Sequence, residues 1–273
     1  MSVRSTAASG SQVYESKRAV DEYLLFHYGK DEDLMPFTTV GANFALHFSQ
    51  RSVNIANEIV RTHNGSFGRA LDIGCAVGGL SFELSKHFSE VVGIDFSHHF
   101  VDAANELKSK GHKSYNILKS GQIFYSAEAV IPADVQREKV HFSQGDACNL
   151  NPSIGKFDLI IGSNLLCRLP DPFKFLRDIP NFLNPGGVLV LISPYSWLEE
   201  YTAVERWVGA TVDSNTKQPK ESFYVLKDSL ENSANGSNRL ILVHRENIPF
   251  LIREHERKFQ LGVSDYSAWT FAK

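Results

Sequence analysis

Cysteine is scarce in this chain. Cys75, Cys148 and Cys167 stand far apart with no Cys-x-x-Cys pair, so neither a zinc site nor a disulfide framework is indicated. No apolar run approaches the ~20 residues that cross a bilayer. The polar N-terminus lacks an apolar signal core, so a cytoplasmic location and no membrane partner are expected. Charge of one sign is lacking too: 28 Lys and Arg face 31 Asp and Glu, a formal net charge of −3. Without a broad basic field, nucleic acid is not an expected partner and a small molecule is. There is no internal repeat and no low-complexity tract, and the Gly-x-Gly-x-x-Gly fingerprint of dinucleotide sites is missing.

What is present is organised around Arg69-Ala70-Leu71-Asp72-Ile73-Gly74-Cys75-Ala76-Val77-Gly78-Gly79. A short apolar run ends in Asp-x-Gly-x-x-x-Gly-Gly, and Leu80 to Leu84 follow with helical spacing. This reads as strand, tight glycine turn, helix. Gly74 and Gly78 lack a Cβ, so a ligand can approach the backbone and positive φ costs little. A helix later, Val91-Val92-Gly93-Ile94-Asp95 is a β-branched run ending in an acid. In a doubly wound sheet a carboxylate there accepts from both hydroxyls of a ribose.

The 273 residues, 42% hydrophobic and 22% charged, suffice for one large α/β domain with additions or for two small ones. Residues 1–12 are small and polar and read as a disordered tail. Residues 13–66 read as a helical cap. Val20, Tyr23, Leu24, His27 and Tyr28 recur at helical spacing before Gly29, and a second helix is expected from Phe44 to Val60. Tyr14, Tyr28 and Arg51 are the polar or cationic groups to watch there. The remaining residues, 67–273, read as a sheet with helices. A helix is expected over Gly79–Phe88, and Ser97 caps another that stops at Gly111. Ser114 to Pro132 partly alternates around Gly121 and predicts a hairpin-like insertion. Further strands are expected at Val140–Gln144, Phe157–Asn164, Val188–Ile192, Leu240–Arg245 and Tyr266–Phe271. Helices are expected at Phe173–Leu183 and Glu221–Leu230. Asp146, in Gly145-Asp146-Ala147-Cys148, suits an exocyclic amine, with a helix cap as the alternative. A second insertion, 194–220, opens with Tyr, Trp and Glu concentrated as in a pocket wall. Arg253 and His255 share strand parity and are expected on one face.

The strand–turn–helix with Asp95 resembles the Rossmann-like class I S-adenosylmethionine-dependent methyltransferases. The resemblance implies a seven-stranded, mostly parallel sheet with helices on both faces. It also implies a cofactor set of Tyr14, Arg51, Asp72, Gly74, Cys75, Gly78, Asp95, Phe96, Asp146, Ala147, Cys148, Ser163 and Asn164. Four tracts narrow it: Tyr14-Glu15-Ser16 with Glu22 to Gly29; Leu71 to Gly79; Ser193-Pro194-Tyr195-Ser196-Trp197-Leu198-Glu199-Glu200-Tyr201-Thr202; and Phe250-Leu251-Ile252-Arg253-Glu254-His255. Together they resemble the 4-mercaptohistidine (5-thiohistidine) N-methyltransferase domain of ovothiol biosynthesis. That domain is often fused behind an iron-dependent sulfoxide synthase, and no such segment or iron-binding His triad is present. A stand-alone enzyme or an excised domain is therefore expected, paired functionally with a sulfoxide synthase and a lyase. Residues 41–51 depart from the proline-containing pattern of the family.

The implied substrate set is Tyr28, Asn164, Arg168, Tyr195, Trp197, Glu199, Tyr201, Arg253 and His255. Arg168 or Arg253 would fork onto a carboxylate. Glu199 or Glu200 would take an ammonium, and Tyr195, Trp197 and Tyr201 would wall a ring. His255 is the first candidate for a general base and Tyr195 the second. No metal is expected. The alternatives are a methyltransferase for another small amine or carboxylate, a nicotinamide-dependent oxidoreductase, and a non-catalytic cofactor-binding relative.

Overall fold

The computed structural model describes residues 14–63, 65–232 and 239–272; the tail over 1–12 lies outside the described residues. Helix α1 (Lys17–Tyr28) starts where the Ser16 side chain accepts from the Ala19 amide, at 3.1 Å. The short α2 (Asp31–Leu34) follows. Helix α3 (Phe48–Thr62) begins later than the sequence pattern suggests. His47 adopts a left-handed φ of 55°, so Asn43–Ala45 forms a separate 3-10 turn and Phe44 is left exposed.

The central sheet then unfolds in order. Strand β1 (Arg69–Ile73) leads into α4 (Gly79–Leu84), shorter than expected, and β2 (Glu90–Asp95) into α5 (His98–Lys110). The Ser97 hydroxyl accepts from the Phe100 amide, while Gly111, at φ 82°, ends α5 by donating to the Leu107 carbonyl. The insertion is a hairpin of β3 (His112–Ser120) and β4 (Ile123–Val130) turning at Gly121. Next come β5 (Val140–Gln144), β6 (Phe157–Ser163), α6 (Pro172–Asp178) and β7 (Leu183–Ser193). The second insertion is a loop with a small ladder of β8 (Thr211–Val212) and β9 (Pro219–Lys220). After α7 (Ser222–Glu231) come β10 (Leu240–His255) and β11 (Lys258–Phe271).

Seven of these strands form one sheet in the order β10-β11-β7-β6-β1-β2-β5. Only β11 runs against its neighbours. The fold is Rossmann-like, with helices on both faces. Side chains alternate accordingly. On β7, Val188, Val190 and Ile192 join the core with α1, α3, α4 and α5, whereas Leu189 and Leu191 join Phe175, Leu226 and Trp269 on the opposite face. Both layers cover the parallel strands, as such sheets require.

The C-terminal hairpin is much longer than the separate short strands expected at Leu240–Arg245 and Tyr266–Phe271. Its register runs from Leu240↔Phe271 to His255↔Lys258. Pro249 is accommodated because β10 is an edge strand, where a missing amide costs no ladder bond. Only Asp265–Thr270 of β11 pairs with β7. The far end of the hairpin projects beyond the sheet and lies against the N-terminal helices.

Phe157 sits at 0% exposure in the α6-side core, with the Arg69 guanidinium 4.5 Å from its ring centroid. Phe157→Ala is expected to cost about 3–5 kcal/mol, read as a lowered urea midpoint at unchanged slope.

Candidate active site

The C-terminal ends of β1, β2, β5 and β6 converge on a cavity of about 390 Å³, which also reaches the cap helices. A crevice at this edge is where open α/β sheets hold ligands. The glycine turn forms its floor. Gly74 (φ 78°) and Gly78 (φ 86°) both lie in the left-handed region. A Cβ on Gly78 would come within 2.5 Å of the Phe142 ring, so its role is to let the turn pack. Gly74 lines the cavity itself.

Asp95 ends β2 with its carboxylate fixed by backbone. One oxygen accepts from the Ala76 amide and the other from the Ser97 amide, each at 2.9 Å. Each oxygen keeps lone-pair capacity for an incoming hydroxyl. Burial pushes its pKa up to about 6, so a ligand with two hydroxyl donors would favour the ionised form. Asp146 caps the 3-10 turn Ala147–Asn149, accepting from Cys148 N (2.8 Å) and Asn149 Nδ2 (2.6 Å), and lines the cavity beside Ala147 and Cys148. It thus combines the cap with a place at the wall. These groups fit a nucleoside: a diol acceptor, an apolar slot at Phe96, Ala147 and Cys148, and an acid beside it.

At the other end, Ser163 closes β6 and Asn164 follows it. Asn164 is left-handed (φ 51°), and its Oδ1 accepts from the Ser264 hydroxyl at 2.8 Å. Arg168 donates to the Ser196 carbonyl at 2.7 Å and to the Tyr14 hydroxyl at 3.3 Å, and lies 4.7 Å from the Tyr201 ring centroid. Tyr14, Asn164, Arg168 and Tyr201 all line the cavity. Tyr14 closes it from the cap: its carbonyl accepts from Ser97 Oγ, and its ring sits 6.1 Å from that of Tyr201.

The structure therefore brings together Tyr14, Gly74, Cys75, Asp95, Phe96, Asp146, Ala147, Cys148, Ser163, Asn164, Arg168 and Tyr201 at one cavity. It places the other expected residues elsewhere. Arg51 staples the cap, donating to the carbonyls of Leu46 (2.8 Å) and Pro249 (2.5 Å). Tyr28 donates to the Val77 carbonyl at 2.8 Å, docking α1 on the glycine turn. Asp72 is fully buried beneath the turn, accepting from Ser81 Oγ at 2.6 Å while its Oδ1 has no partner among the described residues.

Tyr195, left-handed at φ 51°, turns its hydroxyl onto Asp265 of β11 (3.0 Å). Trp197 is buried with its indole N–H on Ser222 Oγ at 3.0 Å, and Glu199 is exposed. Arg253 is buried, donates to the Asp33 carbonyl and lies 5.8 Å from the Tyr125 ring centroid. His255 sits at the hairpin end, its Nδ1 accepting from Arg257 N at 3.2 Å. A register shift between Arg253 and His255 breaks the parity expected of them. Ile252, not Arg253, reaches the cavity.

The cavity also contains residues that the sequence reading did not single out for the site: Tyr23, Phe26 and His27 of α1, Phe48 and Ser49 of α3, and Phe100 of α5. The available signal was the i, i+4 spacing of Tyr23 and His27 on one helical face. Among the described residues no group of His, Cys, Asp and Glu could hold a metal ion, and no helix is long and apolar enough to cross a membrane.

The class that this fold and site define is that of the S-adenosylmethionine-dependent methyltransferases. Within it the chain belongs to the family described as "Methyltransferase domain", whose model matches residues 47–232. It is 29% identical over 123 residues to norajmaline N-methyltransferase of Rauvolfia serpentina, a stretch covering 45% of this chain and 35% of that protein. It is 29% identical over 119 residues to a ubiquinone biosynthesis O-methyltransferase of Coxiella burnetii, covering 44% of this chain and 40% of that one. The chain thus spans less than half the length of these curated relatives. Among solved structures it is similar to magnesium protoporphyrin IX methyltransferase of Synechocystis with bound S-adenosylmethionine. The TM-score is 0.54 at 14% identity, over 98% of this chain and 99% of that chain. It is also similar to an S-adenosylmethionine-dependent methyltransferase of Clostridium acetobutylicum. There the TM-score is 0.51 at 15% identity, over 83% of this chain and 92% of that chain. At these identities the likeness is one of fold.

Burial pushes the Asp72 carboxyl up to about 7, against ~3.9 in an unfolded chain. Between those values the folded state binds more protons, so this group's stabilising contribution is present below pH ~4 and lost as pH rises through about 7. Asp72→Asn should flatten the fall in melting temperature of the ligand-free protein between pH 5 and 8, an effect of order 1–4 kcal/mol. An unchanged slope would refute it. Trp197→Phe, which orphans Ser222, should cost about 1–2 kcal/mol while leaving the affinity for S-adenosylhomocysteine within twofold by calorimetry.

Proposed function

We propose that this chain uses S-adenosylmethionine to methylate a ring nitrogen of 4-mercaptohistidine (5-thiohistidine), the last step to ovothiol A. The observation that carries this reading is the way the Ser193–Thr202 tract, the most specific of the four family-like tracts, meets the cavity. Its Ser196 carbonyl orients Arg168, and its Tyr201 ring lies beneath the guanidinium. Arg168 is thereby preset to take a substrate carboxylate.

The cofactor supplies an activated methyl group on a sulfonium. The lone pair of the unprotonated ring nitrogen would form the new N–C bond as the S–C bond breaks, the S–C bonding pair would stay on the departing sulfur, and the proton on the other ring nitrogen would leave to solvent. This displacement needs orientation more than covalent help, with the reacting atoms held ~3–3.5 Å apart. Asp95 and Asp146 hold the nucleoside end. Tyr14, Phe26, Phe48 and Phe100 exclude water from the rest. Asn164, whose Oδ1 is occupied by Ser264, offers its amide N–H groups to the substrate. The sulfur is the stronger nucleophile, so selectivity for nitrogen rests on how Arg168 and Asn164 fix the amino-acid end. With His255 at the hairpin end and Tyr195 on Asp265, neither is placed in the cavity to take a proton. The substrate would come from sulfur insertion by a sulfoxide synthase followed by a lyase step.

Mass spectrometry of reactions with either 4-mercaptohistidine or histidine tests the reading. A singly methylated product is expected from the thiol compound, with its thiol still open to alkylation; product from histidine alone, or S-methylation, would overturn it. Arg168→Ala should raise KM for 4-mercaptohistidine by about 10–100-fold, the equivalent of one charge-assisted hydrogen bond. Asp95→Ala should weaken S-adenosylhomocysteine at least tenfold.

A further inference from the structure

His27 is the one imidazole lining the cavity, and its chemistry is set by a backbone amide. Nδ1 accepts from the Gly79 N–H at 3.0 Å. An amide N–H only donates, so the lone pair is on Nδ1 and the ring proton is on Nε2. Nε2 has no hydrogen-bond partner among the described residues, nor is it among the buried atoms left without one. It is therefore at least partly accessible, on a residue that lines the cavity. The ring is packed tightly enough to hold this arrangement: a Cβ on Gly79 would meet Nδ1 at 2.4 Å. Tyr23, Phe26 and Tyr28 surround it at centroid distances of 5.9, 5.2 and 6.0 Å. Burial lowers the imidazole to about 4 and raises the hydroxyls of Tyr23 and Tyr28, so all three stay neutral near pH 7. Asp95 and Arg168 are among the charged groups of the same cavity: Asp95 is held by two amides, and Arg168, oriented by the Ser196 carbonyl, can meet a carboxylate beside His27.

We infer that His27 is a fixed hydrogen-bond donor for a carboxylate in the cavity, and not the base of the reaction. A neutral histidine in a buried cavity would ordinarily be the first choice for a proton acceptor. Here the acceptor nitrogen is consumed by Gly79, and the nitrogen left for a ligand can only donate. Asn164 repeats the device, its acceptor oxygen consumed by Ser264. Two groups with occupied acceptors and free donors suit a ligand that brings acceptors, and both the methyl donor and an amino-acid substrate bring an α-carboxylate. The assignment rests on the methyltransferase class; only its substrate arm rests on the 4-mercaptohistidine reading.

Two variants separate geometry from donation. His27→Asn places Oδ1 where Nδ1 accepts from Gly79 but removes the distal donor. His27→Gln offers a distal N–H again. The ligands are S-adenosylhomocysteine with its decarboxylated analogue, and 4-mercaptohistidine with its decarboxylated amine. The wild-type protein should prefer the carboxylate member of one pair by about tenfold or more. His27→Asn should lose that preference, with the decarboxylated member bound as before, and His27→Gln should regain part of it. Loss in the first pair assigns the carboxylate to the cofactor, and loss in the second assigns it to the substrate. Calorimetry on the first pair needs no turnover, so it stands even if 4-mercaptohistidine is not the substrate. Equal preference in wild type and His27→Asn for both pairs would overturn the proposal. So would an acidic limb in the pH profile of kcat that disappears in His27→Asn at unchanged affinity.

Discussion

The carbonyl oxygen of Ile94 accepts from two successive amides, Gly74 N at 2.7 Å and Cys75 N at 3.1 Å. That pair of bonds ties the end of β1 to the end of β2 and sets the path of the glycine turn between them. The next amide, Ala76 N, continues the series onto the Asp95 carboxylate. Three consecutive backbone donors thus bend the chain so that Asp95 is aimed before any ligand arrives. Gly78 can then pass beneath Phe142, and Gly79 can present its N–H to His27. The cap helix docks on the turn through the same few atoms, with Tyr28 on the Val77 carbonyl beside them. A change in the turn would displace the Asp95 carboxylate and the cap together.

Much of this was legible in the sequence because it depends on local chemistry. The turn requires residues tolerant of positive φ, and Gly74 and Gly78 announce it. Gly111 stops α5 for the same reason. Val188 to Ile192 is an unbroken apolar run that reads as a strand, and Asp95 closes a strand of the right spacing. The parts that were not legible depend on a single residue of register or on one backbone dihedral. Parity would put Arg253 and His255 on one face, but a bulge at the hairpin end separates them, and strand periodicity contains no sign of it. Tyr195 belongs to the right tract, yet its left-handed backbone sends the hydroxyl to Asp265. Trp197 has the composition of a pocket wall and instead packs into the core on Ser222. His27 is the converse case. Its helical spacing marked it as a buried face, while its partner, a glycine amide 52 residues away, is a tertiary fact.

The cavity's electrostatic character follows from which atoms the protein satisfies internally. Its carboxylates are held by amides, which leaves them as acceptors for hydroxyl and amine donors at the nucleoside end. Its histidine and asparagine are held by donors, which leaves them as donors at the other end. A ligand that carries a diol at one end and an α-carboxylate at the other matches both halves. In both halves a carboxylate meets neutral donors, so the hydrogen bonds are charge-assisted.

The long C-terminal hairpin also orders events in the making of the protein. Pro249 on β10 receives Arg51 from α3, Arg253 holds the Asp33 carbonyl, and the Glu256 amide donates to Lys119 of β3. The first two of these contacts join a segment to one synthesised 198 and 220 residues later. On a ribosome making ~5–20 residues per second, the first helices emerge long before their clamp exists. The cap and the inserted hairpin must therefore wait, incompletely anchored, until β10 and β11 have emerged and paired. Ile252 seals the cavity wall from that same strand, so a nascent chain acquires its finished ligand pocket only after β10 has emerged and paired.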